Sequence, residues 1–186
     1  RRYAKRPTFV HAEPEGTQAT VPATRQLFFQ VHPLNRFQVL CRILDAPDRD
    51  RVAVFRRTKR GVDRTIKGLL EEGYRAGALH GDMPQVTLEK VMRSVRKGKL
   101  DVLVCTDVAS RVLDIAGLSH VITYDTPEDD RAYVHRIGRT GRAGADGVAV
   151  TLVDWDDVPR WQLINKALGL AFDDPAETYS TSSWVY

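Results

Sequence analysis

Residues 88–105 read LEKVMRSVRKGKLDVLVC and contain the pattern of a helix followed by the pattern of a strand. From Leu88 onward, apolar residues recur at i, i+3, i+4 and i+7, which predicts an amphipathic helix that ends at Gly98. The run Val102–Cys105 is short and entirely apolar, as expected of a strand that is buried on both faces. A helix that leads into such a strand indicates a parallel sheet covered by helices on both sides.

The same alternation of strand and helix patterns continues in both directions along the chain. Apolar patterns predict strands near 27–31, 52–55, 75–79, 121–124 and 148–153, and helices near 34–44, 62–70, 133–137 and 161–168. The first strand is predicted from Leu27, Phe29 and Val31, which alternate with Gln26, Phe28 and Gln30. Right-handed crossovers between parallel strands then give an open, doubly wound α/β domain.

The composition of the chain indicates its domain limits and its cellular location. Residues 1–23 are predicted to be a linker or tail, 24–170 the domain, and 171–186 a surface extension that carries Trp184 and Tyr186. Apolar residues make up 42% and charged residues 28% of the chain, which argues against a disordered or fibrous protein. No apolar run approaches the roughly 20 residues of a membrane span. The two cysteines are far apart in apolar segments, so we expect free thiols, no metal site and a cytoplasmic location.

The loops that follow the predicted strands carry the polar residues of interest, because ligands of such sheets bind at the carboxyl ends of the strands. After the second strand, Thr58 can cap the next helix beside the cations of 56–60, which suits a phosphate but also describes an ordinary cap. In the loop 80–85, Asp82 and Gln85 fit a capping box, whereas Gly81 leaves room for a ligand. The net charge of +4 permits a polyanionic partner without requiring one.

Two further segments concentrate charged side chains. Thr106–Asp114 is predicted to be a loop in which a hydroxyl, carboxylates and an arginine lie together, and an Arg111–Asp114 ion pair closing that loop is the alternative to ligand binding. In 135–144 (HRIGRTGRAG), glycines at 138, 141 and 144 interrupt any helix. The arginines at 136, 139 and 142 are therefore expected to be displayed on irregular backbone, where guanidinium groups can bind phosphate.

These segments together resemble the conserved motifs of the DEAD-box RNA helicases. The octapeptide HRIGRTGR at His135–Arg142 resembles motif VI, Thr106–Ile115 motif V, Val54–Thr58 motif IV, and the 80–85 loop motif IVa. Their order and spacing agree with the family from about residue 24 to 153. The resemblance implies the second, C-terminal RecA-like domain of such a helicase.

The resemblance also implies roles for individual residues. Arg139 and Arg142 correspond to arginine fingers that act on ATP held by the N-terminal RecA-like domain, and Asp114 to the carboxylate that contacts its ribose. The ATP-contacting set also includes Gly138. Positions that match an RNA path are Thr106, Gly81, Asp82, Gln85 and Arg60, and positions that match interdomain contacts are His135, Arg136 and Arg111. The expected partner is single-stranded or locally duplex RNA, bound through sugar and phosphate without sequence preference.

The sequence also lacks features of the complete family. The phosphate loop and the Asp-Glu-Ala-Asp tetrapeptide of the N-terminal domain are absent from these residues, so Mg²⁺ would be held by that domain and the isolated chain is expected to be inactive. Val112 stands where the family usually has glycine, and Leu88 where it usually has arginine, which predicts weaker RNA binding. A stand-alone binding module that has lost catalysis, and a domain whose tail 171–186 docks a regulatory protein, remain alternative hypotheses.

Overall fold

The chain folds into one parallel sheet, as the sequence predicts. The structure is a computed structural model that describes residues 24–141, 146–170 and 177–178. Its strands are β1 (Thr24–Val31), β2 (Val52–Phe55), β3 (Ala76–Leu79), β4 (Val102–Cys105), β5 (His120–Thr123), β6 (Gly147–Val153) and β7 (Glu177–Thr178). They are arranged in the order β3-β4-β2-β5-β6-β1-β7, and every pairing is parallel.

Helices cover both faces of this sheet. They are α1 (Arg36–Leu44), α2 (Lys59–Glu71), α3 (Gln85–Arg96), α4 (Asp107–Val112), α5 (Asp130–Ile137) and α6 (Val158–Leu168). Helices α1 and α2 pack on one face, and α3 to α6 pack on the other. This distribution is what right-handed crossovers require for the observed strand order. The fold is therefore the open, doubly wound α/β fold expected from the sequence.

The sheet is buried on both faces, which explains the strand patterns. All four residues of β2, β4 and β5 are buried. In β1 the alternation predicted the strand correctly, but Gln26 and Phe28 are also buried, because α5 and α6 cover their face. The side chain of Gln26 accepts a hydrogen bond of 2.7 Å from the hydroxyl of Tyr133.

Two local predictions are wrong. Asp82 does not cap α3, because that helix begins at Gln85 directly after Pro84, and Gln85 donates to Glu89 in place of closing a capping box. The segment 106–114 is not only a loop, since it contains the six-residue helix α4. By contrast, the Thr58 hydroxyl accepts a hydrogen bond from the amide of Gly61 at the start of α2, as predicted.

The remaining predictions concern the ends of the chain and the thiols. Residues 1–23 and most of 171–186, including Trp184 and Tyr186, lie outside the described residues; within the extension, the pairing of β7 with β1 is described. Cys41 and Cys105 are free thiols. Burial raises the pKa of the Cys105 thiol to about 12, so it is protonated and inert at neutral pH.

Candidate nucleic-acid and nucleotide sites

An open groove lies at the carboxyl ends of β2, β3 and β4. Its volume is about 590 Å³, and its lining residues are Arg57, Thr58, Lys59, Arg60, Gly81, Thr106 and Val108. The groove forms because adjacent parallel strands end at the same edge of the sheet, so the loops that follow them converge. Three of the five residues predicted for RNA contact, Arg60, Gly81 and Thr106, therefore line one surface.

Two of these residues are free to serve a ligand. Gly81 is the one glycine in the described part of the chain that has neither a positive φ nor a close neighbour: a Cβ added there would meet no atom within 4 Å. Thr106 precedes α4, but its side chain makes no capping hydrogen bond. The fold therefore does not require glycine at position 81 or a hydroxyl group at position 106. Residues that the fold does not need are expected on a binding surface.

The other two predicted RNA residues lie at the margin. Asp82 does not line the groove and forms an ion pair with Lys59, with 2.5 Å between Oδ1 and Nζ. The hydrogen bond from Lys59 lowers the pKa of this exposed carboxyl. Gln85 is exposed on α3 and contacts Glu89. Asp82 and Gln85 were predicted to contact RNA because they belong to the segment that resembles motif IVa. The structure does not place either side chain in the groove.

The charges of α2 run against the dipole of the helix. Lys59 and Arg60 occupy its first turn, where the partial positive charge of a helix disfavours cations, and no acidic residue stands there. Its last turn carries no basic residue, and Glu71 ends it. An isolated helix with this arrangement is less stable than one with the charges exchanged, and an anion bound in the groove would offset the difference.

A buried carboxylate holds the loop that forms one wall of the groove. Asp125 follows β5 and accepts hydrogen bonds from Arg36 Nη1 at 3.0 Å, Arg56 Nε at 2.7 Å and the amide of Arg57 at 2.9 Å. Arg36 and Arg56 also lie over the ring of Tyr124, at 5.1 and 4.3 Å from its centroid. Burial alone would raise the pKa of Asp125, but these donors outweigh it and hold the pKa below its usual value.

Arg136 links the backbone at residue 125 to α4. Its Nε and Nη2 each contact Asp107 at 2.7 Å, and its Nη1 donates to the backbone oxygen of Asp125 at 2.6 Å. Arg136 lies within α5 and is fully buried, so the prediction that it is displayed on irregular backbone is wrong. With no exposed surface, its guanidinium positions groups inside the domain rather than contacting another one.

Arg139 lies one turn beyond, against the end of the motif V segment. Its Nη1 donates to Asp114 Oδ1 and to the carbonyl of Ile115, both at 3.1 Å, and its Nη2 lies 2.6 Å from His135 Nε2. Because arginine can only donate, that ring nitrogen must act as the acceptor in this contact. Arg139 is 4% exposed, so the prediction that it is displayed is also wrong, whereas the side chain of Asp114 is 86% exposed.

The cluster formed by Arg139, Asp114 and His135 lies away from the groove. The hydroxyl of Thr140 donates to the carbonyl of Ser119 at 3.2 Å, just ahead of β5, so the segment after α5 runs toward the amino end of that strand. Gly141 has φ 68°, and a Cβ on Gly147 would lie 2.4 Å from the Gly141 nitrogen, so both positions need glycine. The groove and the Arg139 cluster are therefore two separate candidate sites.

The structure brings together three of the residues predicted for nucleotide or interdomain contact, Asp114, His135 and Arg139. The Arg111–Asp114 ion pair that was the alternative interpretation does not form, because Asp114 pairs with Arg139. Arg111 is exposed and lines a second groove of about 250 Å³ between α4 and α5. Gly138 caps the end of α5. Arg142 lies outside the described residues.

The departures from the family have structural explanations. Leu88 is 7% exposed and packs in the core beside Val95, so it does not line the groove. Val112 is 70% exposed and has helical backbone as the last residue of α4, where valine meets no steric conflict. Leu88 therefore removes no cation from the groove, and the effect of Val112 on RNA binding stays a prediction.

Several residues of the candidate groove were not identified from the sequence. Arg57, Lys59 and Val108 line the groove but were not assigned to it, although they stand in loops that were singled out. Asp125 was overlooked altogether, and the signal that could have revealed it is a carboxylate placed directly after a buried strand.

Among the described residues, no three His, Cys, Asp or Glu side chains are grouped to hold a metal ion, and no helix has the length and apolarity to cross a membrane.

Comparisons with known proteins identify the family. The family described as "Helicase conserved C-terminal domain" matches residues 35–144. The ATP-dependent RNA helicase CshA of Listeria monocytogenes is 48% identical over 136 residues, which cover 73% of this chain but only 26% of that protein. The chain thus spans about a quarter of the length of such curated relatives.

Solved structures agree with this match. A DEAD box protein from the hyperthermophile Methanococcus jannaschii is 38% identical with a TM-score of 0.71, over 77% of this chain and 39% of that one. The C-terminal domain of the DEAD-box protein Dbp5 is 32% identical with a TM-score of 0.73, over 81% of this chain and 88% of that domain. Because the family match covers more than half of the chain and a solved domain of the same kind is matched almost end to end, the chain belongs to the helicase C-terminal domain family, as a RecA-like domain of the DEAD-box type.

Proposed function

We propose that this chain forms the C-terminal half of an ATP-dependent RNA helicase. It supplies part of an RNA path through the groove and supplies Arg139 and Arg142 to ATP that an N-terminal RecA-like domain holds together with Mg²⁺. The relatives named ATP-dependent RNA helicases support this reading. The observation that carries it is the convergence of Arg60, Gly81 and Thr106 on a groove whose chemistry the fold itself does not need.

The groove suits a sugar–phosphate backbone rather than bases. It offers a hydroxyl, an open stretch of backbone at Gly81, and cations, which are the groups that contact phosphate in nucleic-acid complexes. It offers no aromatic side chain on which a base could stack. Binding through these groups is independent of sequence and weakens steeply with salt.

Arg139 must exchange partners before it can act as an arginine finger. In the structure its guanidinium is neutralised by Asp114, whose carboxylate is exposed and therefore accessible to a ribose hydroxyl. When Asp114 binds the ribose, Arg139 loses a charged partner and its guanidinium is released toward the γ-phosphate. There it would neutralise charge that develops in the transition state of phosphoryl transfer.

The experiment that tests this proposal compares Arg139→Ala with Arg131→Ala, in a protein that carries both domains. Arg131 is an exposed arginine in the first turn of α5, the helix that precedes Arg139. Loss of an arginine finger reduces kcat by about 10³-fold or more. We expect RNA-stimulated hydrolysis by Arg139→Ala to fall by about that factor, with a much smaller change in KM for ATP. Hydrolysis equal to that of Arg131→Ala would refute the assignment, and so would rapid ATP hydrolysis by this chain alone.

A further inference from the structure

Helix α2 carries a row of three cations that begins in the groove. Arg60, Arg64 and Lys67 are spaced by four and three residues, so they lie on one face of the helix. All three side chains are exposed, and Arg60 lines the groove. We refer to these three residues as the α2 stripe.

The stripe differs from Arg57 and Lys59, the other cations that line the groove, in having no carboxylate partner. Arg57 is paired with Asp157 at 2.8 Å and Lys59 with Asp82, whereas no residue of the stripe forms an ion pair with the described residues. Asp63, the carboxylate nearest to the stripe in sequence, lies 3.1 Å from His80 instead. Of the cations that line the groove, only Arg60 is therefore uncompensated, and Arg64 and Lys67 continue its positive charge along α2.

We propose that the α2 stripe is a second phosphate-binding surface, which receives the RNA strand where it leaves the groove. This inference rests on the proposed function and extends it from the groove to Arg64 and Lys67. The seven-residue step from Arg60 to Lys67 rises about 10 Å along the helix. That distance corresponds to about three nucleotides of a stacked strand, at about 3.4 Å each. The stripe therefore lengthens the binding site without adding any contact to a base.

The matched test uses two double variants of this chain. Arg64→Gln with Lys67→Gln removes the outer part of the stripe, and Arg93→Gln with Lys97→Gln removes two exposed cations from the end of α3, on the opposite face of the sheet. Both pairs are exposed, so neither change disturbs the core. Binding of each protein to labelled oligouridines is measured by fluorescence anisotropy over a range of KCl concentrations. One oligouridine of about four nucleotides fills the groove, and one of about ten extends beyond it.

The expected effect of removing Arg64 and Lys67 depends on the length of the RNA. Each lost phosphate contact with a single strand reduces the slope of log K against log salt by about 0.7. For the longer oligouridine, the α2 double variant is expected to lower the slope by about 1.4 and to weaken binding about 25-fold at about 0.1 M salt. For the short one, and for the α3 double variant, we expect changes of less than about twofold.

Four outcomes would overturn the inference. Equal effects of the α2 and α3 variants would show that only net charge matters. An α2 effect that is the same for both oligouridines would place Arg64 and Lys67 in the groove itself. If the unmodified chain bound neither oligouridine, the proposed RNA path and the stripe would fail together, whereas retained binding with an unchanged α2 variant would reject the stripe alone.

Discussion

Replacing Asp125 by asparagine should destabilise the domain far more than the same change at Asp101. Asp125 is buried and compensates the guanidinium groups of Arg36 and Arg56, of which Arg36 is also buried. Removing one partner of a buried ion pair leaves a desolvated charge and costs about 3–5 kcal/mol. Arg36 keeps its contact with Asp154, so we expect a loss of about 3 kcal/mol, at the lower end of that range.

Asp101 provides the matched control because it also contacts two arginines. Its distances are 3.2 Å to Arg49 and 2.9 Å to Arg75. The side chain of Arg75 is 59% exposed and that of Asp101 is 19% exposed, against 8% for Asp125, so water reaches these contacts and can replace them. Exposed ion pairs contribute about 1 kcal/mol or less. Asp101→Asn should therefore reduce the free energy of unfolding by no more than about 1 kcal/mol.

The comparison is made by urea denaturation, followed by the fluorescence of tryptophan, since Trp161 is buried in the core. At about 2–4 °C per kcal/mol for a domain of this size, Asp125→Asn should also lower Tm by about 6–12 °C. Unfolding free energies of the two variants that agree within about 0.5 kcal/mol would refute the view that Asp125 anchors the groove wall, because surface substitutions commonly fall in that range.

Further predictions concern single positions and pH. Gly147→Ala should lower the free energy of unfolding by about 2 kcal/mol, since the added Cβ would overlap backbone atoms. Gly81→Ala should change the free energy of unfolding by less than about 0.5 kcal/mol but weaken RNA binding. A larger loss of stability for Gly81→Ala than for Gly147→Ala would contradict the packing of these two glycines. Leu88→Arg should cost about 2–4 kcal/mol because Leu88 is in the core, and unchanged stability would show that position 88 faces the groove. Burial lowers the pKa of His120, so the folded state binds fewer protons than the unfolded state, and stability should be full above about pH 6.5 and fall below it. The lowered pKa of Asp125 should add a second loss below about pH 4, and a flat unfolding free energy from neutral pH to that point would contradict the His120 contribution.

The fold was predictable because its strands are buried on both faces. Short apolar runs such as Val102–Cys105 leave little alternative to a parallel sheet, and the helix periodicity of 88–95 gives the covering layer. Helix starts were less predictable, because Asp82 fits a capping box in sequence but forms an ion pair with Lys59 from another element. A local pattern cannot reveal a partner that only the tertiary fold supplies.

The candidate sites were predicted in part for the same reason. Gly81 and Thr106 could be assigned because strand-end loops converge in this architecture. The burial of Arg136 and Arg139 could not, since it depends on Asp107 and Asp114, carboxylates more than twenty residues away in sequence. A run of glycines and arginines indicates flexible, cationic backbone, but it does not tell which guanidinium groups the fold itself neutralises.

Strand β7 covers part of an edge of the sheet that could otherwise pair with another copy of the chain. It is only two residues long, yet it pairs with Gln30 and Val31 on the outer side of β1, and Thr178 is fully buried there. An uncovered strand border is a template onto which another copy can add its own backbone. Because β7 occupies this border at the carboxyl end of β1, shortening the chain ahead of residue 177 would expose the backbone groups of Gln30 and Val31 to pairing with another copy.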